Sequence, residues 1–295
     1  MDRRSFLGTV TAAALLSRKL GWAAGDRKIE KIGLQLYTVR SEMKKDFAGT
    51  LGKVASIGYR EVEFAGYFDH SPQEVRKTLD GVGLTAPSAH VAYETLGDQW
   101  PGVLEAAKVV GHSYIVCPWT PEEIRNQADG WKRAAETFNR AGEASKKAGI
   151  QFAYHNHNFE FAPVNGKLPY DMLLAETDSD LVKMEMDLCW ITVGGQDPLA
   201  YFSRYPGRFP LVHVKDVKKI PQRSASEKGA IPMERIMPDI TDVGSGAIDW
   251  KRIFAQSDKA GIKHYFVEQD EPKSPFDSIK NSYAYLKDLR FSAGA

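Results

Sequence analysis

Cysteine is nearly absent from this chain. Cys117 and Cys189 fit no zinc-binding spacing, so they read as isolated core thiols rather than a disulfide framework or a thiolate metal site. A net charge of one sign is absent too: the formal charge is +1, which offers no bulk attraction to nucleic acid or to an anionic membrane. Past the N-terminal segment no apolar run is long enough to span a bilayer. There is no low-complexity tract, and no glycine-rich phosphate turn follows the first strand pattern, which removes the dinucleotide-binding reading of an α/β chain. What remains is an ordinary globular composition, 43% hydrophobic and 26% charged.

The first 24 residues stand apart. "MDRRSFLGTVTAAALLSRKLGWAA" has a basic start, a short apolar segment from Phe6 to Leu16, and small residues at Ala23 and Ala24. That is the layout of an export signal and is too short for a membrane anchor. Arg3-Arg4 followed by Ser5-Phe6-Leu7 resembles the twin-arginine motif. The expectation is a signal over 1–24, cleavage near Ala23 or Ala24, and a periplasmic mature protein over 25–295 with no membrane anchor. Twin-arginine export carries folded proteins, often already loaded with cofactor, which suits a metalloprotein.

From Lys31 onward one pattern repeats eight times. The strand patterns are "KIGLQLY", "YREVEFA", "TAPSAHVAY", "SYIVCPW", "QFAYHNHN", "VKMEMDL", "PLVHVKD" and "HYFVEQD". Helical periodicity lies between them, as over 42–57, 72–82, 101–111, 130–148, 198–205 and 249–260, with a last helix from about Phe276 to Leu289. Gly58, Gly83, Gly149 and Gly261 close helices just before a strand. Eight strand–helix units in a chain of this length predict a single (β/α)8 TIM barrel.

In that fold chemistry sits on inward-facing residues at the C-terminal strand ends. Alternation points Gln35 and Tyr37, Glu61 and Glu63, Glu185 and Asp187, His213 and Lys215, and the set His264, Phe266 and Glu268 inward. His155 and His157 share a face, but Glu160 has the opposite parity, so the fifth strand has to end or bulge near Asn158 for Glu160 to turn inward. The late polar residues at one mouth are then Glu63, His90, His157, Glu160, Asp187, His213, Lys215 and Glu268. Converging carboxylates repel unless a cation holds them. A single residue of this kind reads as a member of a core ion pair with Lys215, Arg60 or Lys183. The four residues Glu160, Asp187, His213 and Glu268 together read as ligands of one divalent cation, Mn²⁺ first, with Mg²⁺, Co²⁺ or Zn²⁺ as alternatives.

The motifs "GYREVEF", "HNHNFEF", "MDLCW", "HVKD" and "VEQD", in this order, resemble the xylose isomerase-like superfamily of sugar isomerases and epimerases, and "GSGAIDW" resembles its approach to the last helix. The resemblance spans residues 30–290. It implies a cation bound by Glu160, Asp187, His213 and Glu268, with Glu160 and Glu268 doubling as the acid/base pair on opposite faces of a sugar. His157 and Lys215 would bind hydroxyls or stabilise an oxyanion, and Glu63, His90, Gln35 and Tyr37 would line the substrate side. His155 lies one layer deeper, as a structural residue or a support for a ligand. Trp119 and Trp190 stack on a sugar face or pack in the core. His264 sits at the wrong end of the barrel, and His70 and His112 receive no role.

The expected activity is proton abstraction next to a carbonyl by a metal-dependent sugar isomerase or epimerase. A lyase that eliminates a β-substituent from 3-keto-glycosides or inososes is the alternative. A non-catalytic periplasmic sugar-binding protein is the alternative of another class. Endonuclease IV belongs to the same superfamily, but it needs a three-metal cluster and a basic face that this chain does not offer. Partners are therefore a small sugar or glycoside, with no nucleic acid, and a homo-oligomer is compatible. The proline-containing insertion over 219–243 reads as a lid, with Arg223 and Arg235 as substrate contacts.

Overall fold

The computed structural model describes residues 26–222 and 229–292. The proposed export signal and Arg223 lie outside the described residues.

Eight parallel strands close a barrel: β1 (Ile32–Gln35), β2 (Glu61–Ala65), β3 (Thr85–His90), β4 (Tyr114–Cys117), β5 (Gln151–His155), β6 (Val182–Asp187), β7 (Leu211–Val214) and, after a small hairpin, β10 (His264–Val267). They run in the order β1-β10-β7-β6-β5-β4-β3-β2, so each neighbours the strand next to it in sequence and β10 closes on β1. The expected barrel is the observed one. Short strands suffice because each is buried on both faces, packing outward on helices and inward on the barrel lumen.

Two apolar layers follow from alternation. Leu34, Val62, Ile115, Phe152, Met184, Val212 and Val267 face the helices and join the large outer core. Tyr114, Val116, Ala153, Leu211 and Phe266 fill the lumen and plug the barrel below the polar mouth. Gly33 leaves room for this plug, since a Cβ there would run into the Phe266 ring.

Helix boundaries follow local chemistry. The expected helix over 42–57 is split into Arg40–Lys45 and Phe47–Ile57 by Asp46, whose extended backbone (φ −153°) lets its carboxylate accept from Gly49 N–H as an N-cap. Ser71 and Glu74 form a reciprocal capping box on Pro72–Val82. The pattern over 249–260 divides into Trp250–Phe254 and Ser257–Ala260. No helix among the described residues is long and apolar enough to cross a membrane.

The insertion after β7 folds back on itself. β8 (Asp216–Val217) and β9 (Ile240–Thr241) pair antiparallel at its base, and a short helix (Met233–Ile236) and a 3₁₀ turn (Met237–Asp239) lie between them. Asp216 fixes this base. Its buried carboxylate accepts from the backbone N–H groups of Val217, Gly244, Gly246 and Ile248 and from Trp250 Nε1, at 2.9 to 3.3 Å. The "GSGAIDW" motif thereby gains a physical reason. Gly244 has φ +89°, and a Cβ on Gly246 would strike the Asp216 carboxylate.

Candidate active site

The strand ends deliver polar groups to the mouth in layers. Asp187 pairs in register with His213, and His213 with Phe266, so Glu268 follows immediately beyond the end of β10. Asp187 Oδ1 caps the helix Leu188–Val193, accepting from Cys189 N–H (2.9 Å) and Trp190 N–H (2.7 Å). Its other oxygen, Oδ2, is buried with no aligned hydrogen bond. Oδ2 faces Lys215 Nζ at 3.2 Å, His155 Nε2 at 3.6 Å and His213 Nδ1 at 3.8 Å. His213 Nδ1 lies 3.2 Å from His155 Nε2 and 2.8 Å from Glu268 Oε2. Donor atoms of His155, Asp187, His213 and Glu268 all lie within 4.8 Å of one another, and all four residues are buried.

This donor set fits a divalent cation. Two imidazole nitrogens and two carboxylate oxygens are gathered at one place, and one of those oxygens has no aligned partner. Burial holds His155 below the usual histidine range, which gives the neutral form that metal binding needs. Burial would raise both Asp187 and Glu268, but Lys215 draws each of them down, with His155 helping on Asp187 and His213 on Glu268.

The structure corrects the sequence expectation at one ligand. β5 ends at His155, and residues Phe159–Phe161 form a 3₁₀ turn. This turn carries Glu160 behind the strand, where Oε1 accepts from Tyr154 Oη (2.6 Å) and Oε2 from His157 N–H (2.9 Å). Tyr154 faces the outer core, so Glu160 is buried between strand and helices and away from both ligand clusters. Burial pushes its carboxyl up to about 7, against those two donated bonds. Neither the ligand role nor the acid/base role expected of Glu160 matches this placement. His155, and not Glu160, lies in the cluster with Asp187, His213 and Glu268.

Above the cluster lies a cavity of about 750 Å³, whose walls include Tyr37, His90, Trp119, His157, Lys215, Glu268 and Asp270. Lys215 is buried beneath it, with Nζ 2.8 Å from Glu268 Oε2, 3.0 Å from Asp270 Oδ2 and 5.0 Å from the centre of the Trp190 ring. Burial alone would lower the ammonium pKa, but Asp187, Asp270 and Glu268 hold it well above the ordinary lysine range. Burial raises Asp270 to about 6. It pushes His157 well below the usual range, so the imidazole is neutral, and its Nδ1 is buried without a hydrogen-bond partner. His157 stacks on Phe159 at 5.5 Å and meets the edge of Trp119.

Of the expected substrate-side residues, His157, Lys215, His90 and Tyr37 line this cavity, whereas Gln35 and Glu63 are fully buried beneath it. Alternation assigned these two the correct face but not their depth. Trp119 is in the wall and Trp190 in the core. Met233 and Met237 bring the insertion to the rim, and Asn158 Nδ2 donates to Ile231 O (2.7 Å), tying the insertion to the loop after β5. Arg235 lies on the short helix Met233–Ile236. Asp270 was missed, although it sits two residues past Glu268 on the same face. A second cleft of about 710 Å³, bordered by Lys218, Asp242 and Lys273, includes none of the clustered ligands.

Fold and donor set define a (β/α)8 barrel with a candidate divalent-cation site at its C-terminal mouth. The chain belongs to the xylose isomerase-like TIM-barrel family, whose profile matches residues 51–289. Inosose dehydratase of Lacticaseibacillus casei is 30% identical over 166 residues, 54% of either chain, so the chain matches about half the length of that relative. The Clostridium beijerinckii inosose dehydratase is 22% identical over 267 residues, covering 82% of this chain and 89% of its own. A sugar phosphate isomerase/epimerase from Parabacteroides distasonis superposes with a TM-score of 0.72 at 29% identity, over 87% of this chain and 93% of that one. The IolI protein, solved with a bound zinc atom, shares the fold alone, with a TM-score of 0.64 at 14% identity over 86% of this chain and 95% of that one.

Proposed function

We propose that the protein is a divalent-metal-dependent enzyme that removes the proton beside a carbonyl of a sugar or cyclic polyol and then expels the substituent on the next carbon. The carrying observation is the convergence of His155, Asp187, His213 and Glu268 beneath a sugar-sized mouth, with Glu160 turned away from it. Two nitrogens and two oxygens suit Mn²⁺, Co²⁺ or Zn²⁺ better than Mg²⁺, which prefers an all-oxygen shell. A cation held there would polarise the substrate carbonyl and make the neighbouring C–H acidic.

The chain supplies the remaining chemistry. His157, neutral and in the cavity wall, is the group placed to take the proton. Lys215 keeps its charge and faces the developing oxyanion. Asp270, raised to about 6, returns a proton to the leaving group. A carboxylate pair serving both faces of a sugar, as an epimerase requires, has lost one member with Glu160. The two inosose dehydratases agree with elimination. Isomerisation or epimerisation is the second reading, supported by the 29% identical isomerase/epimerase structure.

The two readings separate in a proton NMR time course in D₂O with manganese-loaded protein, offered an inosose, a 3-keto-glucoside and a free ketose in turn. Elimination releases water or an aglycone and leaves an enone. Deuterium beside the carbonyl with every substituent retained would replace this reading with epimerisation. No exchange with any metal and substrate would leave a sugar-binding barrel. Twin-arginine export belongs to the same proposal, and fractionation of cells carrying wild type or an Arg3→Lys, Arg4→Lys variant tests it.

A further inference from the structure

His213 belongs to two clusters at once. Its Nδ1 faces His155, Asp187 and Glu268, and its Nε2 points down into a group made of Glu63, His90 and Glu185. The lower group is held by two hydrogen bonds and two longer ion-pair contacts, and Glu185 Oε1 is buried there without a partner. His213 Nε2 lies 2.7 Å from Glu63 Oε2 and 3.3 Å from Glu185 Oε2, while His90 Nε2 lies 2.7 Å from Glu185 Oε2 and 3.2 Å from Glu63 Oε2.

Glu63 is the most heavily bound member. Gln35 Nε2 donates to Oε2 at 2.7 Å, and Ser88 Oγ donates to Oε1 at 2.5 Å. The Gln35 amide cannot turn over, because its Oε1 accepts from Tyr37 N–H at 3.0 Å. The register supports the arrangement, since Gln35 pairs with Glu63 across β1 and β2, and Glu63 with Ser88 across β2 and β3. A carboxylate held by donors on both sides keeps one oxygen fixed against His213 and, being ionised, can only accept there. Nδ1 also faces a carboxylate, Glu268 Oε2 at 2.8 Å, so once Glu268 turns to a cation the proton of a neutral His213 belongs on Nε2 against Glu63, and the Nδ1 lone pair is free for that cation.

We infer that Glu63, clamped by Gln35 and Ser88, is a positioning residue that fixes the His213 tautomer and presents Nδ1 to the cation site. This rests on the metal-site reading proposed above. Glu63 is buried beneath the cavity and reaches the cation site through the His213 ring, as outer partners of metal-bound histidines generally act.

The test is a chelator-competition titration of the full-length protein with Co²⁺ and Zn²⁺, without substrate. Wild type, Glu63→Ala, Glu63→Gln, Ser88→Ala and, as a control, Glu61→Gln would be compared. Glu61 occupies the same strand at the other end of the barrel and pairs with His264 at 2.8 Å. The expected loss of affinity is about 10- to 100-fold for Glu63→Ala, smaller for Glu63→Gln, which keeps an acceptor oxygen, and absent for Glu61→Gln. Should Glu63→Ala fail to fold, Ser88→Ala carries the test with a loss of a few fold. In ¹⁵N-histidine spectra of the Zn²⁺ protein, the His213 Nε2–H proton should be observed in wild type and shift in Ser88→Ala. Unchanged affinity in folded Glu63→Ala, an equal loss in Glu61→Gln, or a proton on Nδ1 would overturn the inference and leave the metal site standing. A wild type that takes up no cation would refute both.

Discussion

Substituting Glu160 with glutamine separates a ligand from a brace. The carboxyl titrates near 7 in the fold against 4.5 for an ordinary glutamate, because burial disfavours its charge. A raised folded pKa gives a contribution to stability that is fully present below pH 4.5 and is lost as the pH rises through 7. At about 1.4 kcal/mol for each pH unit between the two pKa values, the loss from pH 5 to pH 8 is about 2.5 kcal/mol. Glutamine does not titrate and can satisfy both contacts. Its oxygen accepts from His157 N–H, and its amide donates to Tyr154 Oη, whose proton then turns to Thr120 Oγ1. Glu160→Gln should therefore gain about 2.5 kcal/mol on wild type between pH 5 and pH 8, roughly 5 to 10 °C in Tm. The assay is differential scanning calorimetry of both proteins in EDTA, which keeps metal linkage out of the comparison. Metal content is measured separately, and the variant should bind one equivalent as wild type does. A variant that loses its metal, or a stability difference that is flat or reversed with pH, would refute the placement of Glu160 outside the site.

Two further outcomes follow from the same geometry. Asp187→Asn should abolish stoichiometric cation uptake, so that Mn²⁺ at 100 times the wild-type Kd, which raises wild-type stability by about 2.7 kcal/mol, leaves the variant's Tm unmoved; an equal rise in both would remove Asp187 from the ligand set. His112, buried between Ala86 O (2.6 Å) and Tyr67 Oη (3.0 Å), has its pKa lowered to about 4 by burial. Protons bind the unfolded chain first, so this group's contribution is complete above pH 6.5 and falls away toward pH 4, by up to about 3 kcal/mol. Urea melts of wild type and His112→Gln from pH 7 to pH 4.5 check this, and equal slopes with pH in the two proteins would count against it.

The barrel was legible because eight apolar strands alternate with eight helical stretches, and closure leaves few other ways to bury strands on both faces. Asp187, His213, Lys215 and Glu268 were legible for a related reason: all lie on regular strands or directly past their ends, where a period of two holds. It failed where the backbone left that period. The fifth strand, expected to run on to about Asn158, ends at His155, and the 3₁₀ turn at Phe159–Phe161 carries Glu160 behind it. Gln35 and Glu63 show the other limit. Strands cross a tilted barrel at different heights, so alternation names the face of a residue without naming its layer. The lower group of Glu63, His90 and Glu185 needed three strands to be brought to one level before it could be read.

One stretch of chain does three jobs in four residues. His213 belongs to the candidate ligand cluster, Lys215 binds the mouth carboxylates, and Asp216 gathers the backbone of the insertion's base. That last attachment acts as a mechanical clamp between chemistry and decoration. The base of the insertion is anchored at Asp216, and Asn158 ties Ile231 to the loop after β5, so the insertion is held at two points. The part of the rim built by Met233 and Met237 is thus mounted on the same chain segment that carries His213 and Lys215.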